Sequence, residues 1–257
     1  DTGTAHPGAV TADATFMIAN AKRGLLLGCA ANSSGALVLV PVEPLTHPEP
    51  GDLEVISPLT MDFGKAPRPF DFHKGLAGHV GLIVGSERYA GAAALAATGA
   101  LRGGAGLVTL MIPQAVVSRV ASQCPPEVIL RGYASPREWQ CGDFDALVIG
   151  CGLGEPDEEM AEKLLELIGG SKTPAVIDAD GLNLVAKRGG PEVFGSHQVL
   201  TPHPGEFRRL APELAEQPRE TACREFCLCT AATLLLKGGR TLVTRARSEE
   251  HTSELQS

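Results

Sequence analysis

The chain has 257 residues, 44% hydrophobic and only 4% aromatic, with a formal charge of −8. That suits one sizeable α/β core with a fragment beside it; an acidic balance without a basic stripe excludes nucleic acid and anionic membranes as partners. Seven cysteines in no even framework imply free thiols in a reducing cytoplasm, and no apolar run is long enough to span a membrane.

The first 40 residues hold three short apolar runs, Ala14-Thr-Phe-Met-Ile18, Gly24-Leu-Leu-Leu27 and Ala36-Leu-Val-Leu-Val40. Each reads as a strand, with glycine and Asn-Ser-Ser turns between them. Seven prolines (41, 44, 48, 50, 58, 67 and 69) then interrupt any period. This stretch is expected to be a connector, with the main domain boundary near 60–72.

From His73 the pattern becomes regular. Val80–Val84 is a buried strand, and the small residues of 89–102 form a helix. Leu107–Ile112 is the next strand, and a helix is expected over 114–122. Ala146–Ile149 is a strand that runs into Gly150-Cys-Gly-Leu-Gly154, and the acidic stretch from Glu155 opens a helix over 156–168. Ala175–Ile177, Val199-Leu200 and Thr233–Leu236 add further strands. Strands alternating with helices imply a largely parallel sheet covered on both faces. Such sheets bind ligands beyond the carboxyl ends of their strands, so the post-strand turns carry the functional signal.

Five turns stand out. Gly85-Ser86 leads to Gly91-Ala92 at a helix start, where free N–H groups can meet an anion. Gly150, Gly152 and Gly154 permit close approach of a ligand, or only close strand-to-helix packing. Asp178 and Asp180, with Asn183, follow a buried strand; they could hold Mg²⁺ through water or bind a ribose, or one could cap a helix. Thr201-Pro-His-Pro-Gly-Glu206 combines two stiffening prolines with an imidazole and a carboxylate three positions apart. There His203 reads as a ligand-facing group or as a capping or core histidine, and Glu206 as a site carboxylate or a first-turn helix acid. Lys237-Gly-Gly-Arg-Thr241 offers a cation, backbone donors and a hydroxyl to a nucleotide, or is a plain hairpin. Cys223, Cys227 and Cys229 lack a completing ligand set and read as small packed residues rather than a metal site.

In this order, over 73–244, these motifs resemble the dehydratase domain of the NAD(P)H-hydrate repair enzymes, a branch of the ribokinase-like family. His73–Gly78, Tyr89–Ala93, Leu101–Val108, Asp145–Gly154, Ile177–Leu184, Leu200–Glu206 and Leu236–Thr241 carry the likeness, with Cys151 where the family usually has proline. Gly3, with Asp1 and Thr2 before it, and Lys22–Gly28 resemble the last part of the Rossmann-like epimerase domain that precedes the dehydratase in bifunctional bacterial members. The implied organisation is an epimerase remnant (1–40), a proline-rich linker (41–72) and a dehydratase domain (73–246) with a three-layer, mostly parallel sheet.

The resemblance implies ADP- or ATP-dependent dehydration of the S epimer of hydrated NADH or NADPH, by phosphorylation of the ring hydroxyl and loss of phosphate. ADP is favoured as donor, Mg²⁺ is expected with it, and the intact protein is expected to be a homo-oligomer. By the same likeness Ala92, Gly152, Gly154 and His203 would contact the hydrate. Lys237, Gly238, Gly239, Arg240 and Thr241 would hold the nucleotide, with Asp178, Asp180, Asn183 and Glu206 in support. The family's general base lies in a Gly-Thr-Gly-Asp motif that occurs nowhere in this sequence. Residues 247–257 resemble the translation of a sequencing adapter. The domain is therefore expected to be cut short at its C-terminus and inactive as it stands. The alternatives are a kinase acting on a vitamin precursor and a nucleotide-binding fragment without turnover.

Overall fold

The computed structural model describes residues 3–43, 53–56, 69–139 and 141–246. Asp1 and Thr2, the prolines at 44, 48, 50, 58 and 67, and the stretch 247–257 lie outside the described residues. The chain divides into two compact units, 1–68 and 69–257.

In the first unit β1 (Ala14–Ile18) and β2 (Ala36–Val40) pair in parallel, Ala14 opposite Ala36. The run at 24–27 is not the strand expected from its leucines. It lies in a short helix, α1 (Arg23–Leu26), followed by α2 (Ala31–Ser34). The physical reason is the parallel pairing: two parallel strands cannot be joined by a hairpin, so the intervening residues must serve as the crossover.

The second unit opens with β3 (His79–Ile83), α3 (Ala90–Arg102) and β4 (Leu107–Pro113). The helix expected over 114–122 is a 3-10 turn, Gln114–Val116, continued by the short α4 (Val117–Ala121). Then come β5 (Ile129–Tyr133), β6 (Ala146–Ile149), α5 (Glu158–Gly170), β7 (Ala175–Ile177) and α6 (Asp180–Arg188). The unit continues through β8 (Gln198–Leu200), α7 (Pro204–Leu210), α8 (Arg219–Cys229), β9 (Thr233–Leu236) and β10 (Leu242–Thr244). α5 begins at 158 rather than 156 because Asp157 caps it, its carboxylate accepting from the Met160 N–H.

The eight strands are ordered β10-β9-β8-β7-β6-β3-β4-β5. All neighbours are parallel except β10, which turns back antiparallel on β9. Alternation along the strands feeds two cores. Leu82 and Val84 pack with Ala93 and Ala97 of α3 and Val120 of α4 on one face. Ile83, Ile149 and Ile177 pack on the other with Leu164 of α5, Leu182 of α6, Phe207 of α7 and Phe226 of α8. The small residues of α3 let that helix lie close to the sheet. Cys223 and Cys227 are buried in the second core, and the Cys227 Sγ reaches the Thr244 carbonyl at 3.4 Å.

Candidate active site

From β3 the chain moves outward through β4 to β5, then returns to the other side of β3 and runs on from β6 to β9. Adjacent β3 and β6 therefore send their following loops to opposite faces, leaving a crevice at their carboxyl ends. A cleft of about 1100 Å³ opens there. Its walls come from Ser86 to Tyr89 after β3, Gly152 to Pro156 after β6, Asp180 to Arg188 on α6, and Arg208 and Arg209 on α7. Five cationic side chains (Arg88, Lys187, Arg188, Arg208, Arg209) face three acidic ones (Glu87, Glu155, Asp180). In a chain of formal charge −8, that is a local reversal of sign. The Ser86 Oγ is buried there without a partner among the described residues.

The glycine turn is built for close approach. Gly150 has φ +118°, and a Cβ there would fall on the Asp178 carbonyl. Gly152 has φ +69°, and its Cβ would lie 2.6 Å from that of Ala92. Both positions thus exclude a side chain by backbone conformation and by space. The turn is tied down at both ends. Gly85 donates to the Cys151 carbonyl at 2.8 Å, and the Gly154 N–H donates to Asp180 Oδ2 at 2.8 Å.

Asp178 and Asp180 do not cap α6. Its N-cap is Ala179, with no side-chain cap and an uncommon φ of +50°. That conformation turns the two carboxylates to different tasks. Asp178 pairs with Lys237, whose Nζ lies 2.8 and 3.0 Å from its two oxygens. Asp180 holds Gly154 and accepts weakly from Asn183 Nδ2 at 3.4 Å. Asn183 Oδ1 accepts from Arg209 Nε at 2.8 Å, which links the glycine turn to α7.

His203 is the N-cap of α7. Its Nδ1 accepts from the N–H groups of Gly205 (2.9 Å) and Glu206 (3.4 Å). Glu206 closes a capping box, Oε2 accepting from the His203 N–H at 2.8 Å. Nδ1 must then be unprotonated, so the neutral ring carries its proton on Nε2, 3.4 Å from Glu206 Oε1. The imidazole is half exposed and the carboxylate buried. The capping roles considered for both residues are therefore filled, while the ring as a whole stays half exposed. Lys237 donates its N–H to the Pro202 carbonyl at 2.9 Å, joining this loop to the turn between β9 and β10.

Of the residues singled out by sequence, Gly152, Gly154, Asp180 and Asn183 line the cleft. Ala92 packs behind Gly152, and Asp178 meets Lys237 nearby. His203 and Lys237 to Thr241 are not among the cleft-lining residues. The N–H groups of Gly238, Gly239, Arg240 and Thr241 have no acceptor among the described residues, which suits a phosphate. For Mg²⁺ the fit is poor: among the described residues no three metal-ligating side chains converge. Asp178 is committed to Lys237 and Glu206 to His203.

Residues 80–255 match the family model Carb_kinase, NAD(P)H-hydrate dehydratase. The chain is 39% identical over 187 residues to a bifunctional NAD(P)H-hydrate repair enzyme of Gloeobacter violaceus, covering 68% of this chain and 36% of that protein. It thus spans about a third of the length of such curated relatives. To the ADP-dependent (S)-NAD(P)H-hydrate dehydratase of Listeria monocytogenes it is 33% identical over 205 residues, covering 76% of this chain and 70% of that one. The crystal structure of the ADP/ATP-dependent NAD(P)H-hydrate dehydratase of Bacillus subtilis, co-crystallized with ATP and Mg²⁺, superposes with a TM-score of 0.58. There the identity is 30%, over 69% of this chain and 64% of that one.

Proposed function

The chain belongs to the NAD(P)H-hydrate dehydratase family, and from that premise we propose that its larger unit forms a site for ADP-dependent repair of hydrated NADH or NADPH. The ribokinase-like fold expected from the sequence holds. The observation that carries the proposal is the cleft at the switch point between β3 and β6. It is glycine-walled and net cationic, as the diphosphate of a dinucleotide requires.

The reaction solves a leaving-group problem. Hydroxide departs badly from the hydrated ring. Transfer of the β-phosphoryl group of ADP to the ring oxygen breaks the bond from the β-phosphorus to the bridging oxygen, leaves AMP, releases the hydroxyl proton to water and makes a phosphate ester. The C–O bond then breaks with its electron pair leaving on phosphate, and loss of a proton from the adjacent ring carbon restores the double bond. The protein's task is positioning and charge stabilisation. Gly152 and Gly154 let the ring approach the backbone, and the half-exposed imidazole of His203 would give the hydrate a further contact. The free N–H groups of Gly238 to Thr241 hold nucleotide phosphate, with Lys237 kept in place by Asp178. No cage of side chains is provided for Mg²⁺ among the described residues. Among the described residues no helix is long and apolar enough to cross a membrane.

The larger unit should therefore support conversion of S-hydrate to NADPH with ADP. Recovery of the reduced coenzyme's near-ultraviolet absorbance measures it. Phosphorylation of a hydroxymethylpyrimidine without any recovery from the hydrate would instead establish a vitamin-precursor kinase.

A further inference from the structure

Arg219 is the first residue of α8, directly after Pro218. A cation at the positive end of a helix has the wrong sign for the helix dipole, so its position needs another cause. Its guanidinium supplies one. Nη2 donates to the carbonyls of Leu236 (3.2 Å) and Lys237 (3.0 Å), and Nη1 donates to that of Arg240 (3.1 Å). Three carbonyls from one turn converge on one planar cation, a geometry that the fork of an arginine offers and a lysine does not. Gly238 lies against the same group: a Cβ there would stand 2.6 Å from Nη2 and 2.8 Å from Nη1.

In a trans peptide the C=O and the following N–H point in opposite directions. Drawing the Leu236, Lys237 and Arg240 carbonyls toward Arg219 therefore aims the N–H groups of Lys237, Gly238 and Thr241 away from it. The first of these meets the Pro202 carbonyl, and the other two have no acceptor among the described residues. We infer that Arg219 is the positioning residue of the nucleotide turn, fixing its carbonyls on one side so that the Gly238 and Thr241 N–H groups are presented to the phosphate of an adenine nucleotide. This rests on the proposed nucleotide role of Lys237 to Thr241. Arg219 touches no substrate; it acts through the shape of the turn.

The test is calorimetric titration of ADP, and separately of S-NADPH hydrate, into the full chain and its variants. Two oriented hydrogen bonds lost should weaken ADP binding about tenfold or more in Arg219→Ala, with hydrate binding unchanged. Arg219→Lys should fall between that variant and the parent, because one ammonium cannot serve three carbonyls. Millimolar guanidinium should restore part of the ADP affinity of Arg219→Ala. Gly238→Ala, which pushes the guanidinium off the turn, should add little to Arg219→Ala when combined with it. ADP binding to Arg219→Ala at parental strength overturns the inference. So does an equal loss of ADP and hydrate binding without guanidinium rescue, which marks general collapse. If the parent chain binds neither ADP nor ATP, the nucleotide reading of the turn itself fails, a distinguishable result.

Discussion

Cys151 shows how much one residue's surroundings can set its chemistry. It sits between Gly150 and Gly152, its Sγ 3.9 Å from Asp178 Oδ2. Burial, and then the Asp178 charge, push its thiol up to about 11 from 9.0, with Lys237 opposing. The folded protein thus holds the thiol proton more tightly than the unfolded chain. Stability from this group is complete below pH 9 and is lost as pH rises from 9 toward 11. Because the thiolate is the nucleophile, iodoacetamide at pH 8 should label the exposed Cys29 and Cys229 more than about tenfold faster than Cys151. The gap should narrow as pH nears 11. Peptide mass spectrometry measures the rates, and equal labelling at pH 8 would contradict the burial and charge assigned to Cys151.

Among the elements, the turns were the most legible part of the sequence and the helix faces the least. Gly150, Gly152, Asp178, Asp180, His203 and Lys237 stand out because glycine, proline and charge interrupt apolar strands at recognisable places. The cleft's cations do not: Lys187, Arg188, Arg208 and Arg209 lie in the last turns of α6 and α7, where basic side chains are the usual complement to a helix dipole. Two of them also have mundane partners, Arg188 with Glu158 and Lys187 with Glu155. Arg219 did leave a signal, a cation at the wrong end of its helix. The edge strand β5 left almost none, since Ile-Leu-Arg-Gly-Tyr neither alternates nor forms an apolar run.

Asp180 connects these elements, joining the glycine turn to α6 and, through Asn183, to Arg209 of α7. Asp180→Asn keeps the shape and removes the charge that holds the Gly154 N–H. A hydrogen bond to a charged acceptor is worth about 1.5–3 kcal/mol, part of which survives with an amide oxygen. Hydrate binding should weaken about tenfold and ADP binding should not change. Equilibrium titration reads both, and unaltered hydrate affinity would remove Asp180 from the positioning role.

At the scale of the whole molecule, topology does what no single motif does. The reversal of strand order between β3 and β6 opens the crevice, and the parallel run from β6 to β9 lines up the ends carrying Gly150, Asp178, Thr201 and Lys237. A sequence reader sees those motifs in chain order; only the sheet order of 9-8-7-6-3 sets them side by side. It also separates two regions, the cleft at β3 and β6 and the turn after β9, as the proposed reaction with its two substrates would require.

The most direct measurement of that account is paired calorimetric titration of S-NADPH hydrate and ADP into the parent chain, Asp180→Asn and Arg219→Ala. The expected result is saturable binding of each ligand to the parent, loss of hydrate affinity alone in Asp180→Asn, and loss of ADP affinity alone in Arg219→Ala. Binding of neither ligand to the parent, or parallel loss of both in either variant, would contradict it.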